Sequence, residues 1–184
     1  MKTGIFTLDE AKIEHHSSER LAHQLTTVLP KNVPVIDYGC GKGTYIKHLS
    51  ERGYTCTGYE GTPDIDKLAD FEGIIQADLT KPLGERPSGS VICLEVAEHI
   101  DREFESVLLD NITENCTGKL IISWAVKGQG GCGHVNEQNY HYVIPTIEKR
   151  GFAFNLAQSK KLRTFAGADL WWFRKSIYVF DRVK

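Results

Sequence analysis

The chain has 184 residues, enough for one α/β domain that buries a sheet between two helical layers. Its 22 basic and 24 acidic side chains give a formal net charge of -2, which argues against a broad basic surface and against nonspecific nucleic-acid binding as its main business. No apolar run approaches the roughly 20 residues of a membrane span, the N-terminal stretch has no signal-like apolar core, and the five cysteines (Cys40, Cys56, Cys93, Cys116, Cys132) form no CxxC pair, which points to reduced thiols and a cytoplasmic setting. In chain order, Thr7 and Glu10 have capping-box spacing and predict a helix to about residue 29, punctuated by Pro30 and Pro34. A strand over 33–38 breaks into Gly39-Cys40-Gly41-Lys42-Gly43 and a helix to about residue 51. A second strand, 55–59, stops at Glu60-Gly61, and Thr62-Pro63 predicts an N-cap followed by proline at the first helical position. A third strand, 73–77, stops at Asp78. Residues 90–94 read as a buried strand, followed by Glu95 and a helix that includes 101–114. A fifth strand over 119–124 leads into a glycine-rich loop at 127–133 and a helix over 138–150. Strands near 152–157 and 172–180, joined by a polar connection, close the chain.

Strands alternating with helices predict an α/β fold with a mainly parallel sheet, right-handed crossovers and helices on both faces. In such sheets ligands sit beyond the carboxyl ends of the strands. The unusual polar residues of this chain fall at those ends.

The turn after the first strand is GxGxG preceded by Asp37. The dinucleotide fingerprint would need a third glycine where this chain has Thr44, which disfavours a nicotinamide cofactor. Glu60 stands where a carboxylate can accept both hydroxyls of an adenosine ribose, and Asp78 where one can accept an adenine amino group. Each acid alone is also a turn former or a solvated helix start. Three of them at successive strand ends point to a nucleoside-bearing ligand.

VIDYGCGKG, GYEG, QADL and CLEVAEHI resemble the successive motifs of class I S-adenosylmethionine-dependent methyltransferases, over about residues 33–125. The resemblance implies a Rossmann-like, seven-stranded sheet with an antiparallel last strand. It implies that Asp37, Gly39, Gly41, Glu60, Asp78 and Leu79 hold the cofactor. Cys40, Gly43, Gly61 and Glu95, in the same turns and strand end, complete the expected set. The chain then reads as one domain over 1–184: a helical cap at 1–30, a cofactor-binding core at 33–125, and an acceptor-side loop with the closing strands at 126–184.

If the chain turns helical after the fourth strand, Glu95, Glu98 and His99 stand at i, i+3 and i+4 on one face. With His134 from the glycine-rich loop they can hold a divalent cation. Alternatively Glu95 only lines the cofactor pocket, and His99 or His134 acts as a general base with Glu98 beside it. The E-x-x-E-H pattern with a later histidine resembles two groups of metal-using O-methyltransferases, those of small-RNA 2'-ends and of the ubiquinone pathway. Their acceptors have neighbouring oxygens, so Mg²⁺ or Mn²⁺ activating a hydroxyl is the chemistry the resemblance implies. The reading at this level is an O-methyltransferase acting on a vicinal diol of a sugar, glycan or small molecule. An RNA-terminus 2'-O-methyltransferase and a catalytically silent cofactor-binding module are the alternatives. His15 and His16, on the N-terminal helix, can reach the cofactor or simply be exposed, and exposure is the expectation. One of Trp171 and Trp172, on opposite faces of a strand, is expected to stack on an acceptor ring, with Lys160, Lys161 and Arg163 meeting an anionic group.

Overall fold

The computed structural model describes residues 4–183. Its strands are β1 (Val35–Tyr38), β2 (Cys56–Glu60), β3 (Ile74–Gln76), β4 (Gly89–Cys93), β5 (Cys116–Ser123), β6 (Phe152–Phe154) and β7 (Ile177–Arg182). They form one seven-stranded sheet in the order β3-β2-β1-β4-β5-β7-β6. β1 to β5 pair in parallel, and β7 runs antiparallel to both β5 and β6. The strand order reverses between β1 and β4, which opens a crevice at their carboxyl ends.

Alternate residues of the central strands feed two cores. Val91, Cys93, Leu120 and Ile122 face α4 (Glu105–Thr113) and α5 (Tyr140–Glu148). Ile92 and Ile121 face α2 (Glu19–Val28), α3 (Thr44–Ser50) and α6 (Leu156–Asp169) on the other side. Strands buried on both faces read as continuous apolar runs, as these do. Among the described residues no helix is long and apolar enough to cross a membrane.

Several predicted elements are corrected. The first helix is two: α1 (Leu8–Glu14), and α2 after a break at 15–18. The break arises because Ser18 caps α2, its Oγ accepting the Leu21 N–H at 3.0 Å and donating to Asp169 at 2.7 Å. After Thr62-Pro63 there is only a 3-10 turn, Ile65–Lys67, because the Thr62 hydroxyl donates to Glu60 instead of capping a helix. The supposed polar connection near the end is the 14-residue helix α6, capped by Asn155, with Leu162 and Ala166 buried on the side shared with α2. Trp171 and Trp172 precede the short α7 (Phe173–Ser176), and β7 begins only at Ile177, so opposite strand faces do not apply to them.

Candidate functional site

A cavity of about 340 Å³ lies at the carboxyl ends of β1, β2 and β4. The glycine turn forms its floor. Gly39 has φ 75° and packs so closely that an added Cβ would lie 2.2 Å from Val96 Cγ2. Only glycine fits both demands. Gly41 has φ 55° and donates its N–H to Glu60 Oε2 at 2.8 Å. Cys40, on the wall between them, is buried, and burial pushes its thiol well up. Gly43 caps α3 behind the turn and is not on the cavity wall.

Asp37 is 2% exposed, and its Oδ2 has no hydrogen-bond partner. Burial, then the nearby Glu60 charge, pushes its carboxyl up to about 8. Glu60 already accepts from the Thr62 N–H (2.9 Å) and hydroxyl (2.8 Å) as well as from Gly41. Of its roughly four lone-pair sites about one is left, so the expectation that it takes two ribose hydroxyls narrows to one. Gly61 lines the cavity beside it. Asp78 departs further from expectation. Its carboxylate accepts from the Thr80 N–H (3.0 Å) and hydroxyl (2.6 Å) and pairs with Lys81 at 3.1 Å. Burial would raise its pKa, but these contacts outweigh it and hold it below the usual range. Its neighbours Ala77 and Leu79 line the cavity instead.

The helix supposed to align Glu95, Glu98 and His99 does not form. Glu95 sits in the left-handed region at φ 57°, and only Ala97–His99 make a 3-10 turn. Glu95 therefore leaves the Glu98–His99 group but still lines the cavity, as the alternative reading expects. Ser123 Oγ accepts its N–H and donates to its Oε1, both at 2.6 Å. Burial pushes its carboxyl up to about 7, against the hydrogen bond from Ser123. The structure gathers the other three: one ligand atom each of Glu98, His99 and His134 lie within 4.8 Å of one another. Glu98 is fully buried, and neither carboxylate oxygen has a hydrogen-bond partner. Burial, then the charge of Glu95, pushes its pKa well up. His99 is pushed down to about 4 by burial and then by His134. The two rings meet edge to face, centroids 5.0 Å apart.

Phe6 and Glu137 were not legible in the sequence, and for His15 the less favoured of two readings holds. Phe6 stands against His99 at 5.3 Å, so the N-terminal segment roofs the site. His15 is half-buried on the cavity wall over Gly41, not exposed, whereas His16 is exposed as expected. Glu137 holds His134 Nδ1 at 3.0 Å. Trp171 and Trp172 both line the cavity, whereas Lys160, Lys161 and Arg163 do not. Lys161 donates to Thr27, and Arg163 lies over the Tyr178 ring.

The methyltransferase domain family matches residues 13–123, from the end of α1 to the end of β5. A comparison with curated proteins returns no match. Among solved structures, a TehB-like S-adenosylmethionine-dependent methyltransferase from Corynebacterium glutamicum is 17% identical, with 95% of this chain and 92% of that chain covered at a TM-score of 0.67. The magnesium protoporphyrin IX methyltransferase of Synechocystis, with bound S-adenosylhomocysteine, is 18% identical, covering 95% and 92% at a TM-score of 0.60. A glycopeptide N-methyltransferase complexed with S-adenosylmethionine is 15% identical, covering 98% and 92% at a TM-score of 0.63. At such identities the likeness is one of fold.

Proposed function

The chain belongs to the methyltransferase domain family, and on that premise we propose that it is an S-adenosylmethionine-dependent O-methyltransferase, assisted by Mg²⁺ or Mn²⁺, that methylates one hydroxyl of a vicinal diol on a sugar, glycan or other small molecule. The observation that carries this reading is the buried Glu98–His99–His134 group, two of whose members line the same cavity as the glycine turn. The residues fit both groups the reading requires. For the methyl donor, Asp37 offers an unpartnered buried oxygen to a cationic ligand, Glu60 keeps an acceptor site for a ribose hydroxyl, and Ala77 and Leu79 supply apolar wall. For the cation, Glu98 offers two unpartnered oxygens and His99 an unpartnered Nδ1 on a ring that burial keeps neutral. When bound, a divalent cation lowers the pKa of a hydroxyl enough to make it a nucleophile. His99 and His134 orient the acceptor side, and Gly4, Ile5 and Phe6 cover it from the N-terminal segment. The five free cysteines support a reducing, cytoplasmic setting.

An acceptor screen of sugars, nucleosides, catechols and amines with labelled donor, with and without chelator, tests this. Turnover on a diol is expected to vanish with chelator and return with Mg²⁺ or Mn²⁺, while donor affinity hardly changes. Full activity after exhaustive chelation, with no metal by elemental analysis, would leave His99 or His134 as a simple base. Methylation of amines alone would remove the O-methyltransferase reading.

Glu60→Ala is expected to weaken donor binding by about 1–3 kcal/mol, since it unpairs Gly41, Thr62 and the donor together. Calorimetry with S-adenosylhomocysteine checks this. Nicotinamide dinucleotides are expected not to bind.

A further inference from the structure

The loop between β5 and α5 contains Gly128, Gly130, Gly131 and Gly133, three of them at positive φ. Ordering so permissive a backbone is costly in conformational entropy. Fixed contacts must offset that cost. At its C-terminal end the loop is tied to the catalytic turn: the Val135 and Asn136 N–H groups both donate to the Glu98 carbonyl at 2.9 Å. The Asn136 side chain donates to buried Glu105 at 2.8 Å, and Trp124 Nε1 donates to the Asn136 carbonyl at 2.6 Å.

The tip is held differently. Gly128 N–H donates to Glu137 Oε2 and Gly130 N–H to Oε1, each at 2.7 Å. The same Oε1 faces His134 Nδ1 at 3.0 Å. We propose that Glu137 is a positioning residue that latches the glycine loop and sets the orientation of His134 in one act. A carboxylate receiving two backbone N–H groups can only accept, so Nδ1 is the nitrogen that carries the hydrogen. Nε2 is then the bare nitrogen, the one available to Glu98 and His99. Gly131 keeps that edge of the ring open, since a Cβ there would lie 2.4 Å from Nε2. A carboxylate behind a histidine fixes both ring rotation and tautomer. Here the same carboxylate also holds the loop tip. A loop that lifts to admit an acceptor gives up the Glu137 contacts, and His134 is aligned only when it closes again. The catalytic use of His134 rests on the proposed function, whereas the latch itself does not.

The test uses the metal-free protein at neutral pH. Long-range ¹H–¹⁵N imidazole correlations should show His134 as the Nδ1–H tautomer. In Glu137→Gln that tautomer should lose its dominance, and amide exchange at Gly128 and Gly130 should quicken together, about tenfold or more. A purely structural role for Glu137 would not move the tautomer. Wild-type His134 in the Nε2–H form would overturn the proposal and needs no variant to be seen. So would Glu137→Gln with unchanged exchange at both glycines. Binding of S-adenosylhomocysteine to the wild type, measured alongside, tests the methyltransferase reading separately, because the latch stands or falls without the donor.

Discussion

A diol acceptor stripped of the hydroxyl beside the reacting one is expected to be methylated at least a hundredfold more slowly than its parent, about 2.7 kcal/mol in kcat/KM. The reacting oxygen is untouched in such an analogue, so the loss measures orientation alone. Glu98, His99 and His134 supply three ligand atoms within 4.8 Å of one another, and Glu95 turns to Ser123 instead of adding a fourth. If the three hold a cation as proposed, they would leave positions on it for substrate oxygens, as open catalytic sites do. Two adjacent hydroxyls can fill two of them, one presented to the sulfonium methyl in line and the other fixing the angle of approach. With a histidine acting as a simple base, the same analogue would lose one ordinary hydrogen bond, roughly tenfold. Steady-state comparison of parent and deoxy acceptor separates the two, and equal rates would sink the two-oxygen geometry.

Lowering the pH from 8 to about 6.5, above the range in which unfolding would let buried His99 take up a proton, is expected to stabilise the ligand-free protein. Asp37 is the reason. Its carboxyl is held at about 8 in the folded protein against 3.8 as an ordinary carboxyl. The folded state therefore binds this proton more tightly than the unfolded state. The stabilisation is fully present below about pH 4 and is lost as pH rises through about 8, with a slope of at most about 1.4 kcal/mol per pH unit. Glu60 on β2 is the charged group that adds to burial here, and the thiols of Cys40, Cys56 and Cys93 and the Tyr45 phenol, all pushed up, stay neutral around it. Glu95, at about 7, adds a slope of the same sign. Asp37→Asn should remove the Asp37 share and melt above the wild type at pH 8. If S-adenosylmethionine binds as proposed, with its cationic centre beside this carboxylate, its binding should tighten between pH 6 and 8 in the wild type and much less in the variant. Thermal unfolding and calorimetry across that range check both, and a wild-type melting temperature that rises toward pH 8 would contradict the assignment.

The order of strands and helices was legible because each signal is local. Glycine at 39 and 41 answers a backbone demand within a few residues, and apolar runs ending in Asp37, Glu60 and Glu95 mark the carboxyl ends of β1, β2 and β4 without any knowledge of packing. α6 was not legible. Half of its residues are polar, and its burial at Ser159, Leu162, Ala166 and Gly167 faces the side of the sheet covered by α2, which lies more than a hundred positions away in the chain. Spacing put Glu95 and Glu98 on one helical face, but with the left-handed turn at Glu95 its carboxyl meets Ser123 while Glu98 sits with His99 and His134. Asp78 has the right place in the chain, yet Thr80 and Lys81 claim its carboxylate. Glu137 carried no signal at all, although its partners lie within nine residues, because nothing in spacing says that a loop will fold back onto one carboxylate. The sequence by itself determined the α/β order and the end of the sheet where the site lies, since strand ends and glycine turns are set by short-range sterics. Only the tertiary structure decided which polar side chains share the site, because a side chain's partner depends on its rotamer and on segments as distant as Phe6 and His99, which the fold alone brings within 5.3 Å.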